Sequence, residues 1–165
     1  MFEKGETVYY GTAGVCKVSD ICRSPFDKND GRMYYVLEPN DFSDGTIIYA
    51  PVENSQVLLR PLMTAREAEE LIASLSAMEP MEILNEKHRR EEYRAALRNG
   101  TPGSIARMIK TICLRKRAAA KIQKKVSDTD TEFDKLARKA LLGELAAVMG
   151  TDVHEAEEKV NAAMR

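Results

Sequence analysis

The residue pattern of this chain changes once, at Arg60-Pro61-Leu62, and that change constrains the fold more than any other feature. Before it, short β-branched and aromatic runs are separated by Gly, Asn, Asp and Pro, a pattern typical of strands joined by tight turns. After it, long runs rich in Ala, Leu, Glu, Lys and Arg favour helices. We therefore predict an α+β protein with a β-domain over residues 1–62 and a compact all-α domain over residues 63–165.

The β half contains five short runs with strand character. They cover residues 7–10, 15–21, 33–37, 46–50 and 57–60, and turn-forming residues separate them. Five short strands within about sixty residues predict a small, strongly bent barrel. The glycines Gly11 and Gly14 fit no phosphate-binding motif, because a strand rather than a helix follows them.

The helical half carries local signals for helix starts. Residues 64–67 form a capping box, Thr101-Pro102 supplies a cap followed by Pro, and a second capping box is predicted at residues 129–132. Further helices are expected from about Asn85 and after Asp152. The apolar spacing predicts two buried stripes: on the third helix Ile105, Met108, Ile112, Ala119, Ile122 and Val126, and on the fourth Phe133, Leu136, Ala140, Leu141, Leu145 and Val148.

The formal net charge of −1 conceals a basic segment. Residues 107–126 contain no Asp or Glu and eight cations, namely Arg107, Lys110, Arg115, Lys116, Arg117, Lys121, Lys124 and Lys125. Such a face gains no pairing along its own helix, and binding to nucleic-acid phosphates would explain it. Lys87, Arg89, Arg90 and Arg94 form a second cluster beside two glutamates. Two alternatives remain: a solvated helix face, or neutralisation by the acidic segment after Ser127.

Enzymatic and metal-dependent functions find no support in the residues. His154-Glu155 begins like a zinc-protease motif, but Glu158 stands where its second histidine must be. The cysteines Cys16, Cys22 and Cys113 show no CxxC spacing, which argues against a zinc site or a disulfide framework. We expect a non-enzymatic protein without cofactor or metal. The lack of a signal peptide or a transmembrane run predicts a cytoplasmic location.

Several segments together resemble one family. The N-terminal run MFEKGETVYYGTAGVCKV, then Tyr34-Tyr-Val-Leu37, Ala50-Pro-Val-Glu-Asn54 and Leu59-Arg60, are similar to the first half of the CarD/CdnL family of bacterial transcription regulators. In the second half, the runs ARMIKTICLRK from Ala106 and LGELA from Leu142 resemble the helical domain of that family. The resemblance extends over nearly the whole chain.

The resemblance implies a fold and two partners. The β half would be a Tudor/SH3-like barrel that docks on the lobe of the RNA polymerase β subunit by β-augmentation, the addition of a strand to an exposed sheet edge. By position, the docking residues would be Arg23, Thr46, Ile47, Ile48 and Tyr49. The helical half would contact the backbone of double-stranded promoter DNA and stabilise the open complex, which places the protein at the bacterial nucleoid.

The chain departs from the family at two positions. Better-known members wedge a tryptophan into DNA near the start of the second helix, but this chain has no Trp. Ile83 or Leu84, with Met81 nearby, could replace it, or these residues could pack within the protein. Tyr49 stands where some members have an arginine.

Two other functions remain open from the sequence. One is an interaction adaptor whose basic helix meets an acidic protein surface. The other is a module that reads RNA through its tyrosines.

Overall fold

The computed structural model describes residues 1–11, 13–40, 44–53 and 56–165. The chain divides into two compact units, Met1–Leu62 and Met63–Arg165, called here the β-unit and the helical unit. The first holds an antiparallel sheet and the second holds helices, so the predicted α+β class is confirmed.

Among the described residues the β-unit forms one five-stranded sheet. Its strands are β1 (Thr7–Tyr10), β2 (Gly14–Arg23), β3 (Met33–Pro39), β4 (Ile48–Pro51) and β5 (Leu59–Pro61). They are hydrogen-bonded in the order β4-β3-β2-β1-β5, and every pair is antiparallel. The register of β2 against β3 shifts between Val18 and Asp20, a bulge that increases the local twist of the sheet. The strands β4 and β5 therefore lie at the two edges of this sheet.

One face of the sheet holds the core of the β-unit. Tyr35 and Leu37 of β3 alternate with Tyr34 and Val36, and Tyr35 and Leu37 face Ala50 and Ile48 across the β3–β4 pair. The core consists of Val8, Tyr10, Cys16, Val18, Tyr35, Leu37 and Ala50, with Ile48 packed against it. Since side chains alternate along a strand, Tyr34 and Tyr49 lie on the opposite face.

The fourth strand begins later than the sequence predicts. Thr46 and Ile47 precede β4, because the Asp44 carboxylate accepts hydrogen bonds from Thr46 N at 3.1 Å and Thr46 Oγ1 at 2.5 Å. Such a side-chain turn competes with the strand conformation. The predicted turn at residues 40–45 lies partly outside the described residues.

The helical unit contains five α-helices among its residues. They are α1 (Ala65–Ser74), α2 (Arg89–Asn99), α3 (Pro102–Lys121), α4 (Asp128–Met149) and α5 (Val153–Ala163); a 3₁₀ helix (Glu86–His88) precedes α2. Thr64, Thr101 and Asp152 cap α1, α3 and α5 through their side chains, as their sequence positions predict. None of the helices formed by the described residues has the length and apolar character that crossing a bilayer would need.

Three details of α3 and α4 differ from the prediction. The helix α3 ends at Lys121, so Ile122 is 70% exposed rather than buried. The cap of α4 is Ser127, whose Oγ accepts a hydrogen bond from Asp130 N at 3.0 Å, so the capping box predicted at residues 129–132 is wrong. Leu136 is exposed, and Ala137 takes its expected place in the core.

The core of the helical unit lies along α3 and α4. Ile105, Met108, Ile109 and Ile112 of α3 are buried, as are Phe133, Leu141 and Leu145 of α4. Ala156 and Val160 of α5 are also fully buried, so the final helix is an ordered part of this unit. This packing places the acidic N-terminal turn of α4 among the basic side chains of α2 and α3.

Candidate functional surfaces

The outer edge of β4 is the first candidate surface. Among the described residues, β3 is the strand that pairs with β4, and it does so from Tyr34–Pro51 to Leu37–Ile48. An edge strand presents backbone N–H and C=O groups that a strand from another chain can pair with. Of the predicted docking residues, Ile48 and Tyr49 belong to this strand. Thr46 and Ile47 lie just before it, and both are exposed.

An aromatic cluster adjoins this edge on the outer face of the sheet. The ring of Phe26 is 74% exposed and lies edge-on to Tyr49 at 5.6 Å and to Tyr34 at 6.2 Å between ring centroids. Tyr34 Oη donates a hydrogen bond to Asp30 Oδ2 at 3.4 Å. Phe26 was not among the predicted site residues, because it lies in the turn-forming segment between the second and third predicted strands. Its apolar ring in a polar segment was the available signal.

The position of Arg23 relative to this edge follows from the strand register. Arg23 is exposed at the end of β2 and pairs with Met33 of β3. The backbone N of Val52, which follows β4, donates a hydrogen bond to the Met33 carbonyl at 2.9 Å. Arg23 is thus level with the segment that leaves β4, but β3 lies between them, so Arg23 is not on the edge itself.

Tyrosine exposure bears on the RNA-reading alternative. Stacking on bases requires accessible ring faces. Tyr9, Tyr10, Tyr34 and Tyr35 are all buried, and Tyr49 is half-buried beneath Phe26. These tyrosines therefore offer a base little free ring surface, and Phe26 is the exposed ring of the cluster.

The basic segment of α3 does not form one exposed cationic face. Lys110 is buried, and its Nζ donates a hydrogen bond to the Ser76 carbonyl at 3.2 Å. The Arg107 guanidinium donates to the carbonyls of Glu79 and Pro80 at 3.1 and 3.2 Å. These two cations hold the segment that links α1 to the 3₁₀ helix, so they are already engaged within the unit.

Arg115 lies at the centre of a charged network. Its Nε donates to Asp130 Oδ2 at 2.9 Å, and its two terminal nitrogens donate to Glu86 at 3.0 and 2.9 Å. The hydrogen bond from Arg115 lowers the pKa of Glu86 below its ordinary value. Burial favours the neutral carboxyl of Asp130, but hydrogen bonds from Arg115 and Tyr93 outweigh burial and lower the pKa of Asp130. Both carboxyls are therefore ionised at neutral pH.

Tyr93 and Arg89 complete this network from α2. The Tyr93 hydroxyl donates to Asp130 Oδ1 at 2.8 Å, and burial together with this bond raises the pKa of Tyr93. Arg89 binds Glu86 and donates to Ser127 Oγ at 3.0 Å. Its Nε lies 3.2 Å from Asp130 Oδ1 without the alignment of a hydrogen bond. The network thus joins the 3₁₀ helix, α2, α3 and the start of α4.

Three more predicted DNA-binding cations have partners inside the unit. Lys116 Nζ lies 2.6 Å from Asp134 Oδ2, and Arg90 lies 2.7 Å from Glu132. Arg117 donates to the Met164 carbonyl at 2.5 Å. Asp130, Asp134 and Glu132 were not predicted as individual partners of these cations. One predicted alternative was that the acidic segment after Ser127 neutralises the basic helix, and α4 does this for Arg115 and Lys116.

Five predicted cations remain directed to solvent. Lys87, Arg94, Lys121 and Lys124 are exposed and make no ion pair with any described residue, and Lys125 pairs only with the exposed Asp128 at 3.4 Å. Lys121, Lys124 and Lys125 lie together at the turn between α3 and α4. Of the predicted DNA-binding cations, these three lysines form the cluster that the helical unit can offer to a phosphate backbone.

The two candidate wedge residues differ in accessibility. Leu84 is 82% exposed, whereas Ile83 is half-buried. Met81 is also half-buried, and its backbone N donates to Thr111 Oγ1 at 2.8 Å. Leu84 is therefore the member of this segment that can reach another molecule without rearrangement.

An open groove lies between α2 and α3. This open groove has a volume of about 550 Å³, and Met81, Glu92, Asn99, Ser104 and Arg107 are among its lining residues. Its lining contains one acidic residue, one basic residue and several residues with small side chains. The described residues contain no group of three His, Cys, Asp or Glu side chains that could hold a metal ion.

The sequence of the β-unit matches a known protein family. Residues 2–63 match the sequence model of the CarD-like/TRCF RID domain. The resemblance to the CarD-like family is confirmed for this part of the chain, and residues 64–165 lie outside the match. The match supports a transcription-related protein that interacts with RNA polymerase. Among curated proteins, no sequence matches this chain.

Proposed function

We propose that this chain is a bacterial transcription regulator that docks on the lobe of the RNA polymerase β subunit and contacts promoter DNA. The observation that carries the proposal is the edge strand β4, which lies within the segment that matches the CarD-like/TRCF RID domain. The proposal assigns no catalytic step, cofactor or metal to the chain. It assigns the protein to the cytoplasm, at the nucleoid.

Docking occurs by strand addition at β4. A strand of the polymerase pairs with the backbone of Ile48 and Tyr49, and backbone hydrogen bonds supply affinity, while side chains beside the edge supply specificity. Ile47 and Phe26 adjoin this edge, Arg23 lies on the far side of β3 from it, and all three residues are exposed. Two apolar side chains and one cation at the rim match the usual make-up of a protein interface.

The DNA contact is made by the helical unit. Phosphates attract the cations that are directed to solvent, and Leu84 provides an apolar side chain that can press against bases in the minor groove. Contacts to phosphates carry no sequence information, so the promoter set follows from polymerase recruitment.

The regulator acts by linkage between binding and promoter opening. A factor that binds the open complex more tightly than the closed complex shifts their equilibrium by that difference in free energy. A preference of about 1.4 kcal/mol changes the ratio of open to closed complexes about tenfold.

The test is a titration of the full-length chain against an isolated polymerase β lobe, with binding measured by biolayer interferometry. We expect saturable binding that the exposed-edge substitution Ile47→Glu weakens. As the matched control, Val153→Glu places the same charge on an equally exposed apolar residue of α5. Absence of binding by the unmodified chain would contradict the docking proposal.

A second function is favoured by one observation. Because α4 supplies carboxylates to Arg115 and Lys116, much of the predicted DNA-binding face is neutral within the unit. A protein-interaction adaptor that docks on polymerase without touching DNA is consistent with that neutralisation. Salt-dependent binding to double-stranded DNA separates the two functions, since the adaptor would show no such binding.

A further inference from the structure

We propose that the turn between α3 and α4, residues 121–125, inserts Ile122 into the minor groove of double-stranded DNA while its lysines bind the flanking phosphates. This turn is called the α3–α4 tip. The inference rests on the proposed DNA contact of the helical unit and names the part of that unit that makes it.

The tip presents an apolar side chain that the core does not use. Ile122 is 70% exposed, although the apolar spacing of α3 predicts its burial. The side chain lies beyond the last helical residue, Lys121, and the core stripe of α3 ends before it. Burial of an exposed β-branched apolar side chain against another molecule lowers the free energy of the system.

The lysines around Ile122 are available for phosphates. Lys121 and Lys124 make no ion pair with any described residue. Lys125 lies 3.4 Å from Asp128, and both side chains are almost fully exposed, so a phosphate can replace that partner at little cost. Arg115 and Lys116, by contrast, each bind one largely buried carboxylate, that of Asp130 or Asp134. The accessible positive charge of α3 is therefore concentrated at its C-terminal end.

The backbone of the tip is ordered by its own hydrogen bonds. Gln123 adopts the left-handed conformation with φ of 54°, and its N donates to the Ala120 carbonyl at 3.2 Å. Lys124 N donates to the Ala119 carbonyl at 2.9 Å, which completes a Schellman motif. An ordered turn loses little conformational entropy on binding, so Ile122 and its lysines are presented ready for a ligand.

The segment that carries Leu84 is bound to α3 near the tip. Arg115 binds Glu86, two residues after Leu84, and Lys121 lies six residues further along α3. At 1.5 Å per residue, this spacing corresponds to about 9 Å along the helix axis. Two exposed apolar side chains with adjacent cations therefore lie within reach of one DNA segment.

The chemistry of the tip fits duplex DNA better than other acidic partners. Minor-groove proteins insert Ile, Leu or Met between base steps and use Lys and Arg around the wedge. A membrane surface requires a wider apolar face or a lipid anchor in addition to basic residues. The tip offers one apolar side chain among three cations, which is the composition of a wedge with phosphate contacts.

The cationic part is tested by measuring DNA affinity of the full-length chain against salt concentration, using fluorescence anisotropy with a 30-base-pair duplex. The variant Lys121→Ala/Lys124→Ala/Lys125→Ala should reduce the slope of log K against log salt by roughly 2 to 3, one phosphate for each lysine. The control variant Lys28→Ala/Lys135→Ala/Lys159→Ala removes the same charge from exposed positions elsewhere. It should leave the slope within about 0.5 of the unmodified value.

The wedge is tested with the same duplex carrying 2-aminopurine at a pyrimidine–purine step, where unstacking is easiest. Binding of the unmodified chain should increase the fluorescence, and Ile122→Ala should abolish the increase while keeping the salt slope. Leu136→Ala, an exposed apolar residue of α4, is the matched control, and Leu84→Ala reports the contribution of the other apolar side chain.

The outcomes distinguish the tip from the general DNA contact. If the unmodified chain binds DNA with a steep salt dependence but the two triple variants behave alike, the tip proposal is wrong and the DNA contact stands. If the unmodified chain shows no salt-dependent DNA binding, the proposed DNA contact itself fails. Unchanged 2-aminopurine fluorescence on binding of the unmodified chain overturns the insertion of Ile122.

Discussion

Arg115 and Asp130 are joined by a hydrogen bond of 2.9 Å between Nε and Oδ2, and this bond connects the middle of the basic helix α3 to the first turn of α4. Asp130 is 3% exposed and accepts further contacts from Tyr93 and Arg89. A buried carboxylate with this many donors is stabilised in its charged form. The basic segment therefore contributes to the cohesion of the helical unit as well as to its surface.

The first prediction concerns the free energy of unfolding. Asp130→Asn keeps the shape of the side chain but removes the charge that Arg115 and Tyr93 contact, and we expect a loss of about 2 kcal/mol. The control is Asp128→Asn, two residues earlier in the same helical turn but exposed, which should cost less than about 1 kcal/mol. Urea unfolding followed by circular dichroism measures both. Equal losses for the two variants would contradict a stabilising role of the network.

The second prediction concerns pH. The pKa values of Asp130 and Glu86 are lowered from ordinary values of 3.8 and 4.5. For a lowered pKa, the stabilisation is complete above the ordinary value and is lost as the pH falls through the lowered value. The free energy of unfolding of the unmodified chain should therefore decline below about pH 4.5. Its excess over the free energy of unfolding of Asp130→Asn should become smaller below about pH 3.8. Urea titrations at pH 6, 4 and 3 measure that difference, which would stay constant if Asp130 were unperturbed.

Local signals explain which parts of the fold the sequence predicts. The caps Thr64, Thr101 and Asp152 act within three residues of their own position, so their identity is enough to place a helix start. The strands of the β-unit are likewise marked by β-branched and aromatic runs. The α+β class follows from these signals together.

The partners of the basic residues depend on how the helices pack, so local sequence signals do not predict them. Arg115 and Asp130 are fifteen residues apart, and they meet because α3 and α4 pack along their apolar stripes. Periodicity indicates which residues are buried but not which carboxylate will lie opposite a given cation. For this reason the predicted DNA-binding set includes Lys110, Arg115 and Lys116, which the structure engages inside the unit.

The end of α3 and the start of β4 were predicted wrongly for a different reason. Each segment forms a turn without the residues that usually mark one. Gln123 ends α3 in a conformation normally taken by Gly, so the sequence contains no stop signal at that position. Thr46 is drawn into a turn by the carboxylate of Asp44, although Thr favours strands. In both segments a side-chain or backbone hydrogen bond outweighs the local preference.

The third prediction follows from the left-handed conformation of Gln123. Residues other than Gly and Asn are strained in this backbone conformation, so Gln123→Gly should raise the free energy of unfolding by about 1 kcal/mol. The control is Ala118→Gly in the exposed interior of α3, which should lower that free energy by about 1 kcal/mol. Thermal unfolding by circular dichroism compares them. A destabilised Gln123→Gly variant would show that the conformation is not strained.

The fourth prediction concerns docking through the edge of β4. Ile47 is 48% exposed and directly precedes this strand, so Ile47→Glu should leave the β-unit folded while placing a charge in the interface. We expect the affinity for the polymerase β lobe to fall about tenfold or more, because the substitution replaces an apolar contact of the interface with a charge that must lose water on binding. Val153, at 49% exposure, is the matched position in the helical unit, and Val153→Glu should bind like the unmodified chain. Biolayer interferometry measures both affinities, and a far-ultraviolet circular dichroism spectrum checks the fold. If Ile47→Glu binds with unchanged affinity, the polymerase contacts a different part of the β-unit, and the face that carries Phe26 becomes the next surface to substitute.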